Sequence, residues 1–154
     1  MQLRLNHRTT YVSKTIMKEP VERIMGKISK ISQSIVQGKL SHLDIDRSFY
    51  PLLLIENGDG ITQQELAREL SCDKVQVVRI IDYLSKNGYV DRIPNKTDHR
   101  KYELSVTDKA RKVIPDIRKA FEELSAITMN GLSTKQKKEL FAMLTIIVSN
   151  LITL

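Results

Sequence analysis

The chain holds one cysteine, no tryptophan, four prolines and six glycines in 154 residues. A lone thiol, Cys72, excludes an intramolecular disulfide framework and a cysteine-rich zinc site, and it fits a reducing compartment. So few glycines and prolines, spread along the chain, exclude collagen-like and low-complexity architectures. His7, His42 and His99 stand far apart with no metal-ligand spacing, so no metal and no cofactor are expected. There is no glycine-rich phosphate loop and no nucleophile motif, which argues against an enzyme. Long hydrophobic runs are missing too. The most apolar stretch, 142–154, is interrupted by Thr145, Ser149, Asn150 and Thr153, and it is shorter than the roughly 20 residues a bilayer requires. Arg4, Arg8, Lys14 and Lys18 are met by no acid before Glu19, but no apolar run accompanies them, so residues 1–20 read as a basic arm rather than a secretory signal. A soluble, cytoplasmic protein with no membrane partner is expected.

What is present suits one globular domain. The hydrophobic share, 41%, is too high for a disordered chain. There are 25 Lys and Arg against 18 Asp and Glu, a net charge of +7, so nucleic acid, an anionic surface or an acidic protein are the partners to weigh. The excess is not local: +3 falls in residues 1–19, 0 in 20–60, +1 in 61–107 and +3 in 108–154. Overall basicity therefore does not locate a binding site, and local pattern must.

Val21, Ile24, Met25, Ile28, Ile31 and Ile35 recur at three- and four-residue steps and predict a helix ending near Gly38. Phe49 to Ile55 predicts a short apolar helix that must start close to Pro51. After the turn Asn57-Gly58-Asp59-Gly60, Thr62 and Glu65 form a capping box, with Ile61 and Leu66 in the staple positions. That helix runs to about Leu70. Asp73 caps the next, Gln76 offers a weaker second box, and Gly88 ends it. Tyr89 to Ile93 and Tyr102 to Val106 predict two strands joined by the basic loop 94–101. Thr107 and Asp108 open a long helix with Val113, Ile117, Phe121 and Leu124 on one stripe, which Pro115 should bend or loosen. Gly131 ends it. Ser133 and Gln136 cap a last helix with Leu140, Phe141, Leu144, Ile147, Val148 and Leu151 on its apolar side.

Two short helices joined by a tight turn and followed by a basic ribbon predict a winged helix-turn-helix. Ala67 is small where the helices cross, and Leu66, Leu70, Val77, Ile80 and Ile81 can fill the space between them. At 100° per residue, Val77, Ile80, Ile81 and Leu84 face inward. Val75, Arg79, Asp82 and Lys86 face away, Gln76 and Val78 flank them, and Lys74 sits in the first turn. Arg79 can pair bidentately with guanine and Gln76 with adenine, while Val75 and Val78 suit thymine methyls. The alternative is that the two valines are ordinary surface residues or cover the ribbon. In the loop, Lys96, Arg100 and Lys101 suit a wing tip on the duplex, with Asp98 orienting Arg100. Alternatively, that loop is a solvated hairpin.

Ile61-Thr-Gln-Gln-Glu-Leu-Ala67, Val77-Val-Arg-Ile-Ile-Asp-Tyr-Leu84, Lys86-Asn-Gly-Tyr-Val90 and above all Asp98-His-Arg100 with Leu104 and Thr107 resemble the multiple-antibiotic-resistance regulator (MarR) family of bacterial transcription factors. The resemblance spans roughly residues 43–151. It implies a homodimer interlocked through its first and last two helices, a reading helix from Asp73 to Asn87 in the major groove, and Arg100 in the minor groove. It also implies repression of transcription and release by a small aromatic or phenolic effector or by oxidation; Tyr11 and Tyr50 are candidates to line the effector's cleft, with core packing the alternative. Val75 and Val78 stand where the family commonly has polar residues, so its target sequences do not transfer. Its thiol sensors carry a cysteine in the first helix, which this chain lacks, and Cys72 is expected to pack as a small apolar residue.

The expected architecture is mainly α with a small antiparallel β wing. Residues 1–20 form the arm, 21–42 a dimerisation helix, 43–107 the winged helix-turn-helix lobe and 108–154 further dimerisation helices, in one intertwined domain. The expected function is a homodimeric repressor binding a palindrome in double-stranded DNA. The competing expectation is a winged-helix interaction module for an acidic protein partner.

Overall fold

A computed structural model describes residues 19–58, 60–95 and 102–153. Residues 1–18 of the basic arm, with Tyr11, and the wing-tip residues Lys96, Asp98, His99, Arg100 and Lys101 lie outside the described residues.

Among the described residues, six helices and a two-stranded antiparallel sheet follow one another. Helix α1 (Val21–Lys39) carries the first apolar repeat, and α2 (Phe49–Asn57) is the short apolar helix. Pro51 is the third residue of α2, where its missing amide is no loss because the first amides of a helix have no partner within it. The helical pair is α3 (Gln63–Glu69) and α4 (Lys74–Lys86). The wing strands are β1 (Val90–Pro94) and β2 (Tyr102–Val106), paired from Val90 with Val106 to Pro94 with Tyr102. Two long helices close the chain, α5 (Asp108–Thr128) and α6 (Thr134–Ile152).

The core is one cluster. Leu52 and Ile55 of α2, Leu66 of α3, Val77, Ile81 and Leu84 of α4, Val90 and Leu104 of the wing and Ile117 of α5 are almost wholly buried in it. The buried stripe of α5 is Ala110, Ile114, Ile117 and Ala120, whereas Val113, Phe121 and Leu124 of the expected stripe lie at its margin. That stripe combines two alanines with two isoleucines, and the bulkier Phe121 lies beside it. Pro115 is exposed and α5 runs through it without interruption. Polar ties fix α5 to the first helices: Lys39 pairs with Glu123, Arg118 with Glu56, and Arg118 also donates to Asn57 at 2.9 Å.

Helix α6 has no buried residue. Phe141, Val148, Leu151 and Ile152 of α6 all expose more than half of their surface, as do Ile28 and Ile31 of α1. No helix among the described residues is long and apolar enough to cross a membrane.

Candidate nucleic-acid interface

Local chemistry sets the geometry of the helical pair. The Thr62 hydroxyl accepts from the Glu65 amide at 3.3 Å, and the Glu65 carboxylate accepts from the Thr62 amide at 2.8 Å, so the expected capping box is complete. These hydrogen bonds from Thr62, backbone first and hydroxyl second, hold the Glu65 carboxyl below its ordinary value. The turn into α4 is a Schellman motif. The Ser71 amide donates to the Arg68 carbonyl at 3.0 Å and the Cys72 amide to the Ala67 carbonyl at 3.1 Å, with Ser71 at φ 49°. A glycine usually takes that left-handed position, and a serine there hides the turn from a search for glycine. Cys72 is half-buried against the core as the residue that follows it.

Asp73 accepts from the Gln76 amide at 2.8 Å and starts α4. Only this half of the expected second capping box is made. Helix α4 ends in a second Schellman motif: Gly88 has φ 72°, its amide donates to Ser85 at 3.0 Å, and the Tyr89 amide donates to Leu84 at 2.9 Å. The base of the wing is then tied down. Thr107 donates to the Gly88 carbonyl at 2.7 Å and accepts the Ala110 amide at 3.2 Å, so one hydroxyl caps α5 and anchors the end of α4. Lys109 donates to the Asn87 carbonyl at 2.7 Å and lies 4.2 Å from the centre of the Tyr89 ring. On the opposite flank of α4, the Tyr83 hydroxyl accepts from the Asp46 amide at 2.7 Å.

With Val77, Ile81 and Leu84 buried behind it, α4 presents Lys74, Val75, Gln76 and Arg79 to solvent. Val75 is 59% exposed, whereas Val78 is half-buried. Val78 shares its stripe with Asp82, four residues on, and Asp82 forms an ion pair with Arg92 of β1. Val75 is thus the more outward of the two valines. Neither Lys74 nor Arg79 has an ion-pair partner among the described residues, so both charges remain available to a ligand.

Three features escape the sequence reading. A bridge between Thr62 and Glu103, with the Leu104 amide donating to the Ile61 carbonyl at 2.9 Å, gives the wing a rudimentary third strand. Arg92 is drawn onto α4 by Asp82. Finally, Gln64, Arg68 and Lys74 face Arg92 and Tyr102 across a groove of about 750 Å³ between α3, the start of α4 and the wing. The i, i+4 spacing of Gln64 and Arg68 was the only signal for that wall. A separate cleft of about 300 Å³ lies between α1, α2 and α5, lined by Gln33, Gln37, Arg47, Tyr50 and Phe121 among others. The Tyr50 and Phe121 rings are 6.0 Å apart and tilted by 57°. The buried Gln37 side-chain oxygen has no hydrogen-bond partner among the described residues. No group of three or more His, Cys, Asp or Glu among the described residues is placed to hold a metal ion.

Residues 46–101 match the family model described as MarR family. Over 123 residues the chain is 28% identical to the uncharacterized HTH-type transcriptional regulator YybA of Bacillus subtilis, covering 79% of this chain and 82% of that one. A MarR protein from Peptoclostridium difficile has a similar structure, with a TM-score of 0.80 and 28% identity over 86% of this chain and 88% of that one. So has a mutant MarR from E. coli complexed with operator DNA, at a TM-score of 0.75 and 25% identity over 83% and 93%. The lobe built around α3, α4 and the wing thus matches the MarR family model, and the chain as a whole has the fold of the MarR-type transcriptional regulators.

Proposed function

We propose that this protein is a homodimeric transcriptional repressor that binds a palindrome in double-stranded DNA through Lys74, Val75, Gln76 and Arg79 of α4, with Lys96, Arg100 and Lys101 of the wing on the flanking backbone and minor groove. The observation that carries this reading is the outward row on α4: two cations without ion-pair partners among the described residues, an amide and an apolar side chain, on a helix buried along its opposite face. Arginine and glutamine at such positions read purine edges, and a valine reads a thymine methyl. Val78, being half-buried, has the smaller part.

A single lobe presents little surface, so two-fold pairing supplies both affinity and the reading of a palindrome. The wholly unburied α6 and the exposed apolar side chains of α1 support pairing through the first and last helices. Half-sites then lie about 34–36 Å apart, one turn of the duplex. The cleft holding Arg47, Tyr50, Phe121 and the unpartnered Gln37 oxygen supports release by a small aromatic effector bearing a phenol or a carboxylate. Arg47 meets an anion, the rings meet the aromatic face, and Gln37 takes a donated hydrogen bond. Such a molecule switches the protein only if it prefers a lobe spacing that DNA disfavours.

The test is fluorescence anisotropy with labelled DNA from the protein's own promoter region, across salt concentrations and with random competitor. Binding that survives competitor, with a log–log salt slope of roughly −5 to −9, is expected for this number of phosphate-facing cations. Absence of binding at low salt would overturn the reading and favour an acidic protein partner for the lobe.

A further inference from the structure

We infer that Asp82 and Arg92 form a positioning pair that sets the angle of the wing against the reading helix, so that an acid on the DNA-facing side of α4 strengthens DNA binding. The inference rests on the DNA-binding reading above and adds to it a role for two residues that do not themselves read bases.

The wing needs such a strut. At its base, Val90 pairs with Val106 and both are buried. Arg92 pairs with Leu104, which is 1% exposed. Beyond that register, Ile93 with Glu103 and Pro94 with Tyr102 contribute no buried residue. Arg92 therefore stands at the last register where the described part of the hairpin is held by the core. A two-stranded ribbon without apolar support is marginal in water and twists readily. Among the described residues, braces reach it from the lobe on two sides at this level. One is the bridge of Thr62 with Glu103 on the α3 side. The other is Asp82 with Arg92 on the α4 side.

Position argues the same way. Asp82 lies on the outward half of α4 with Val75, Arg79 and Lys86, where a free carboxylate would face phosphates and oppose binding. In the folded lobe that charge is taken up by a guanidinium from the neighbouring strand. The Asp82 side chain is 57% exposed and that of Arg92 38%, so the pair adds little to global stability. Its effect falls on orientation, which a displacement of about 1 Å at the tip is enough to disturb.

The sign of one substitution separates this from simple electrostatics. Asp82→Asn removes a negative charge from the DNA-facing surface; if Asp82 is merely a repulsive neighbour, affinity rises. The positioning role predicts a fall of about three- to tenfold, with the melting temperature almost unchanged. Arg92→Gln is expected to lose a similar factor, and the double variant no more than the worse single one, because each acts through the other. Asp82→Glu, which keeps the pair, restores most of the affinity. Hydroxyl-radical footprints should lose wing protection while major-groove protection under α4 persists. Tighter or unchanged binding by Asp82→Asn, or additive losses in the double variant, would overturn the inference. Failure of the wild-type protein to bind specifically in the same assay would instead overturn the proposed function itself.

Discussion

Replacing Val148 by glutamate tests the pairing of two chains most directly. Phe141, Leu144, Val148 and Leu151 fall on one stripe of α6, and Val148 is 54% exposed in the single chain. Burying a whole valine side chain gains about 1.5–2 kcal/mol, so roughly 1 kcal/mol is still to be realised at this position when a partner covers it. A glutamate forfeits that and must be desolvated or protonated. Protonation at pH 7 of a group that ordinarily titrates near 4.3 costs about 3.7 kcal/mol, which bounds the second term. The two together approach about 4–5 kcal/mol per copy and twice that in a symmetric dimer. If half is recovered because the longer side chain bends toward water, association still weakens by at least about 1,000-fold. Sedimentation equilibrium across concentration measures this, and a Val148→Ala control should shift the midpoint by only about tenfold. The same variant should lose cooperative occupation of the two half-sites. A wild-type chain that sediments as a monomer, or a Val148→Glu chain whose association is unchanged, would refute burial of α6 against a second copy.

Arg79→Ala should lower operator affinity by about 1–3 kcal/mol with little loss of melting temperature, and selection by base substitution should show relaxed preference at the position it faces. Ser71→Gly relieves a left-handed non-glycine residue between α3 and α4. Its melting temperature is expected to rise by about 2 °C, the net of about 0.5–1 kcal/mol after the added freedom of the unfolded chain, and calorimetry reporting a fall would contradict that assignment. Because the folded chain lowers the Glu65 value, its capping contribution is present above the ordinary glutamate value and is lost as pH falls through the lowered one. The stability gap between wild type and Glu65→Gln, read from urea denaturation, should therefore close on acidification; a gap that widens would be inconsistent with the capping box. Gly58→Ala should destabilise the turn before α3, since an added methyl would lie 2.7 Å from the Ile61 Cβ, and a melting temperature equal to wild type would show that the turn yields freely.

Much of this was legible because it is local chemistry. The capping boxes at Thr62–Glu65 and Ser133–Gln136 depend on residues three apart, and both form as expected. Gly88 marks the end of α4 because only glycine takes a positive φ there without cost. The alternation of Tyr102, Leu104 and Val106 announced a half-buried strand, although in the fold only Leu104 and Val106 reach the core. The other elements failed to declare themselves for identifiable reasons. Ser71 took a glycine's place in the turn. The third strand is a single bridge at Thr62 and Glu103, too short to leave a period. On α5 only Ile117 of the expected stripe is fully buried, because the contact face is shared with Ala110, Ile114 and Ala120, and alanines give a weak apolar period.

Residue type and spacing were enough to determine the helix starts, the two-helix motif with its ribbon, and the outward row of Lys74, Val75, Gln76 and Arg79, because capping and periodicity act over one or two turns of chain. Tertiary structure alone decided that Val78 is half-buried, that Asp82 is neutralised by Arg92 and that Gln64, Arg68 and Lys74 share a groove with Tyr102. It also decided that α6 stands without a buried side chain. Each of these joins residues from separate elements, and such meetings are settled by how the elements pack, which no local pattern of residues encodes.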